Sequence, residues 1–129
     1  MRSKNGVILT FGASDHLIEH NEIFEQMGDR IMAAVLCKKW LEMRKRHNNL
    51  ALWSYTLHSL VSNTALAERG FLLGLDAFII KNPGTTQVST GMMSDAFEAI
   101  VGAVFMDAGD DGLKAVHDVL KHTGFFKDL

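Results

Sequence analysis

A single cysteine, Cys37, stands in the whole chain, which excludes an internal disulfide framework and leaves no Cys/His spacing of the zinc-binding kind. That fits a reducing compartment, an intracellular and most simply cytoplasmic setting. Proline is equally scarce. Only Pro83 interrupts the sequence, and alternation of β-branched residues is rare, so long stretches keep a helical period. No long charge-free apolar run occurs, which argues against a membrane span. The opening MRSKNGVILTFG is basic and then briefly apolar, but Ser14, Asp15 and His16 end the apolar stretch too early for a signal peptide. Neither sign of charge dominates: 13 Lys and Arg face 15 Asp and Glu, a formal net charge of −2. A lone domain that gripped nucleic acid by bulk electrostatics would be basic, so composition points away from such a partner.

What is present suits one compact domain over residues 1–129, with 47% hydrophobic and 22% charged residues. A chain of this size buries roughly two thirds of its unfolded surface and holds a core without crosslinks. The periodicity predicts an all-α chain. One long helix runs from Asn21 to Arg46, with Phe24, Met27, Ile31 and Val35 along one stripe and His47-Asn48-Asn49 ending it. Shorter helices are expected over Leu50 to Leu60 and from Ser62, a cap for Ala65 and Leu66, to Leu73 before Gly74. KNPGTTQVST, Lys81 to Thr90, reads as a loop; helices follow over Met92 to Asp107 and Leu113 to His122, separated by Gly109 and Gly112.

Two helices carry an unusual set of acids. At about 100° per residue, Glu22, Glu25 and Asp29 fall within an arc of about 60°, opposite Phe24, Met27 and Ile31. Three stacked acids repel one another by roughly 0.2–0.5 kcal/mol per pair even in water. The same face continues as Leu36, Trp40 and Met43, a change from acids to large apolar side chains that suits a face covered by other helices. On the second helix Asp95 and Glu98 lie three apart, away from Phe97, Ile100, Val101 and Val104. If the two helices pack, four or five carboxylates share one small volume and stay ionised only around a cation. All-oxygen ligands suit Mg²⁺, with Mn²⁺ as a substitute, and two such ions clamp the attacking and leaving oxygens of a phosphoryl displacement. Acids at this spacing equally suit a solvated helix face. Gly28 beside Asp29 lets helices or a ligand approach closely.

The sequence around these acids resembles the ribonuclease III family. The family signature reads roughly NERLEFLGDAVL, and Asn21 to Ile31 reads NEIFEQMGDRI; LVSNTALAERGFLLGL, Leu60 to Leu75, looks like the family's middle helix. SDAFEAIVGAVFMDAG, Ser94 to Gly109, is close to the family's ADAFEAVIGAIYLDGG. The three blocks stand in family order. The resemblance implies a helical endonuclease domain that cleaves double-stranded RNA with a divalent metal and leaves 5′-phosphate and 3′-hydroxyl ends. It implies that Glu25, Asp29, Asp95 and Glu98 bind the metal, with Asp29 and Glu98 the catalytic pair and Glu22 more peripheral. It also implies a dimer that forms one RNA-binding valley.

Three departures bear on that expectation. Gln26 stands where the signature has a phenylalanine, which in the family enters a socket on the partner subunit. Loss of such an anchor costs roughly 2 kcal/mol or more at an interface hot spot, so a homodimer and a heterodimer with another ribonuclease III-like chain are both open. Arg30 replaces a small residue and could pair with Asp29, contact RNA phosphate or reach a partner's acid. The family's first helix looks truncated at the N-terminus, and no double-stranded-RNA-binding domain is expected, so this domain alone should bind RNA weakly. The alternative function is a catalytically weak or inactive dimerisation or RNA-scaffold subunit of an RNA-processing complex.

Smaller features have bland explanations. Lys38, Lys39, Arg44, Lys45 and Arg46 complement a helix dipole or track phosphates. His16 and His20 flank Glu19 without a third ligand and read as surface residues. Cys37 reads as a core residue, and Trp40 and Trp53 as packing residues.

Overall fold

The computed structural model describes residues 6–11, 14–18, 22–43, 49–80, 84 and 87–129, with the backbone alone described for residues 6–11, 14–18 and 80. Five helices make up the body: α1 Glu22–Glu42, α2 Leu50–Val61, α3 Asn63–Leu72, α4 Thr90–Asp107 and α5 Gly112–His122. Each expected helix is present. Asn21 and residues 44–48, including the expected end of the long helix at Arg46, lie outside the described residues, as do Glu19 and His20 and half of the Lys81–Thr90 segment.

Side-chain caps set three of the helix starts. Asn49 accepts from the Leu52 amide at 2.9 Å, Ser62 from Ala65 at 3.3 Å and Ser89 from Met92 at 3.1 Å. The last of these explains why α4 begins at Thr90, ahead of the expected Met92. Among the described residues no helix is long and apolar enough to cross a membrane.

Helix α4 is the centre of the fold. Met93, Ser94, Ala96, Phe97, Ala99, Val101, Gly102 and Ala103 are all buried, because α1, α3 and α5 pack around it. The main core joins Met32, Val35 and Leu36 of α1 to Leu66, Phe97, Val101 and Leu120. On α1 the buried face runs through Gly28, Met32, Val35, Leu36 and Trp40. The Phe24, Met27 and Ile31 stripe is only half-buried. The acids' own face turns inward at Leu36 and Trp40, as expected of a covered face. Trp40 packs on Trp53 with ring centroids 5.5 Å apart. Cys37 is half-buried, at the margin of the core and not in it.

Two features were not foreseen. A small antiparallel sheet of order β2-β1-β3 joins Gly6–Phe11, Ser14–Ile18 and Ile79–Ile80, with Val7 opposite both Ile18 and Ile79. Its strands are too short for a period-two signal, and a hairpin gains stability from its third strand. Beyond α5, Gly124 turns with φ of 88° and sends Phe125 into the core, fully buried. Arg69 of α3 fastens this end: its guanidinium lies 4.2 Å from the Phe125 ring centroid, donates to the Thr123 carbonyl and pairs with Asp128 at 3.1 Å.

Candidate active site

The acids meet because α1 and α4 touch backbone to backbone. A Cβ placed on Gly28 would lie 1.8 Å from the main-chain oxygen of Glu98, and one on Gly102 would lie 2.1 Å from that of Phe24. Only hydrogen fits at either position. Glu25 and Asp29 flank Gly28 along α1, while Asp95 and Glu98 occupy the turns of α4 before Gly102. The crossing therefore brings the two pairs together through the main chain, not through the reach of side chains.

Electrostatics report the same crowding. The Glu98 carboxyl is pushed up to about 8, first by burial, then by its hydrogen bond with Asp29 and the charges of Asp29, Asp95 and Glu25. Glu25 is pushed up to about 7 by burial and by Asp95 and Glu22. Asp95 is raised by burial. Without a cation, the cluster relieves its repulsion by keeping a proton on Glu98, which is hydrogen-bonded to Asp29. Among the described residues no three acids, histidines or cysteines stand close enough together to hold a metal ion as they are placed. The donor set nevertheless fits a hard divalent cation: every donor is a carboxylate oxygen, and the group takes up protons where positive charge is missing.

The remaining expected residues fall around this centre. Glu22 is exposed and acts on Glu25 by charge. Arg30 is exposed and donates to the Gln26 side chain one turn back, so of the roles open to it none is taken up by Asp29. Sequence reasoning missed two contributors. Gly102 is the partner of Gly28, and its signal was a glycine tolerated inside an apolar helix. Ser94 is fully buried and donates to Asn63 at 2.9 Å, tying the turn that carries Asp95 to the start of α3; its signal was a polar residue beside the acid.

The raised carboxyls make metal-free stability fall with pH. Both glutamates keep protons in the folded state that the unfolded chain releases near the ordinary value of 4.5. Folding therefore binds protons between that value and about 8, and stability present at low pH is lost as pH rises through the window. In EDTA the melting temperature should be lower at pH 8 than at pH 5, and Mg²⁺ should restore it at pH 8. A flat profile would mean that the acids ionise independently.

A family model described as Ribonuclease-III-like matches residues 10–123. A Ribonuclease 3 of Oleidesulfovibrio alaskensis is 33% identical over 96 residues, covering 71% of this chain and 42% of its own length. One of Chloroflexus aggregans is 29% identical over 119 residues, covering 87% of this chain and 52% of its own. One of Cupriavidus necator is 33% identical over 107 residues, covering 78% and 41%. The chain thus spans about half the length of the relatives it matches.

Proposed function

Because the chain belongs to the ribonuclease III-like family, we propose that it is a Mg²⁺-dependent endoribonuclease that cleaves double-stranded RNA as a dimer. The observation that carries this is the convergence of Glu25, Asp29, Asp95 and Glu98 on the Gly28–Gly102 crossing, with protons held where cations would sit. These four carboxylates would hold Mg²⁺, or Mn²⁺ in its place. Bound there, the ion supplies the charge that makes water nucleophilic and offsets the charge growing on phosphate.

The chain's own groups do the rest. Glu98, hydrogen-bonded to Asp29, would give up its proton to act as a ligand, leaving both carboxylates to face the ion. Ser94 holds the Asp95 turn in place through Asn63. Water gives up a proton as its oxygen adds to phosphorus, the bond to the 3′ oxygen breaks, and that oxygen takes a proton. The products carry a 5′-phosphate and a 3′-hydroxyl. Arg30, exposed one residue beyond Asp29, would contact a phosphate of the duplex. Loading the site also offsets acids that weigh against a polyanion, which reconciles a net charge of −2 with an RNA substrate.

A second reading rests on one observation. Gln26 and Arg30 are bonded to each other on an exposed face where the family signature places an aromatic side chain. Such a polar pair favours a different partner chain, and with it a subunit that scaffolds RNA or another nuclease. The test is cleavage of a labelled perfect RNA duplex by the purified chain, in Mg²⁺ and then in EDTA. Metal-dependent cuts are expected. A folded monomer that cuts at no concentration would leave the scaffold reading.

A further inference from the structure

The C-terminal half of α1 and the start of α5 form a second feature, a cleft of about 360 Å³. Ala34, Val35 and Leu113 supply its apolar wall. Leu113 is 57% exposed on a helix whose Val116 and Leu120 are fully buried. The rim is cationic, with Lys38, Lys39 and Lys114 set around the opening. Its two acids are already engaged: Glu42 with Lys38 at 2.7 Å and Asp118 with His117 at 3.3 Å. With His117 neutral the lining sums to +1, three lysines against Glu42 and Asp118; Lys39 also stands 5.3 Å from the Phe126 ring centroid, and the aliphatic stems of Lys39 and Lys114 extend the apolar wall.

An occupant must match an apolar interior and a positive edge together. We propose that this cleft binds a small amphipathic carboxylate, its hydrocarbon chain against Ala34, Val35 and Leu113 and its head at Lys39 and Lys114. The size lies within the range of ligand sites, roughly 300–1,000 Å³, which are apolar with a few placed polar groups. RNA does not fit: its phosphates would meet the lysines but leave the apolar wall wet. Nothing in this site draws on the acids of α1 and α4, so it stands or falls apart from the nuclease assignment.

Decanoate is the probe, titrated into the full chain below its aggregation concentration. Binding is followed by calorimetry and by the ring resonances of His117, which lines the cleft. Saturable one-to-one binding with Kd below about 1 mM is expected. Ala34→Phe should fill the cleft and abolish it. Lys114→Glu, at an exposed position, should weaken it about tenfold or more, the worth of a charged hydrogen bond. A decyl glucoside, with a comparable chain and no charge, should bind about tenfold more weakly for the same reason. Circular dichroism melts check that each variant folds; if Ala34→Phe does not, Lys114→Glu decides. Non-saturable binding, equal affinity for the neutral amphiphile, or affinity unchanged in folded Lys114→Glu would overturn the proposal.

Discussion

Replacing Gly28 with alanine is expected to destabilise the protein by about 3 kcal/mol or more, the upper end of what overpacking costs. The added Cβ would lie 1.8 Å from the Glu98 main-chain oxygen, against 3.4–4 Å for ordinary contact. No rotamer change relieves that clash, because both partners are backbone. Helices α1 and α4 must separate, and the core between Met32, Leu36, Phe97 and Val101 opens with them. The usual gain from alanine in a helix, about 1 kcal/mol over glycine, is too small to offset this. Gly91→Ala is the control: it lies in the facing helix α4, exposed, with nothing within 4 Å of its Cβ. It should be neutral or slightly stabilising. Urea unfolding of both variants, followed by circular dichroism, reads the difference. Near-equal midpoints would mean that the helices do not cross at Gly28.

Glu98→Gln is expected to reduce cleavage of an RNA duplex at least about 10²-fold, the upper loss seen when only an outer partner of a metal ligand is changed. Glutamine matches the shape of the protonated glutamic acid that the metal-free site holds, so the fold should survive. Stability at pH 8 should rise relative to the unchanged protein in EDTA, because the group held at about 8 no longer has to ionise. The same substitution should shrink the thermal stabilisation by Mg²⁺, since a ligand that binds only the folded state stabilises it in proportion to its affinity. Single-turnover cleavage and melts with and without Mg²⁺ separate the two effects. A normal cleavage rate would remove Glu98 from the metal set.

The helices were legible because a 3.6-residue period survives wherever a helix buries one side. Ser62 could be assigned as a cap since a hydroxyl before an apolar run has one favourable use. Helix α4 tested that logic, as burial on nearly every side blurs its period, and the acids Asp95 and Glu98 gave its orientation instead. Phe24, Met27 and Ile31 line up as an apolar stripe, yet those side chains are half-buried while Gly28 and Met32 are covered. Glycine carries no hydropathy signal, so a face built on a glycine contact is invisible to periodicity. The β1–β2 hairpin escaped for lack of length, and Phe125 because its burial depends on Arg69, far away in the chain. Four acids on two helices could be listed from the sequence; that they meet depends on Gly102, whose neighbours are set only by tertiary packing.

The Gly28–Gly102 contact also has a temporal meaning. During synthesis α1 emerges ahead of α2 and α3, and α4 follows them. Until that long loop closes, neither helix holds more than its own acids, and a half-set of carboxylates has little claim on a divalent ion in competition with water. If these acids hold the ion as proposed, affinity for it arrives together with tertiary closure, in one non-local step of the kind that is slow to nucleate. On the proposed function, a chain without α4 would be inert toward metal, and uptake of the ion would report the closure of α4 on α1.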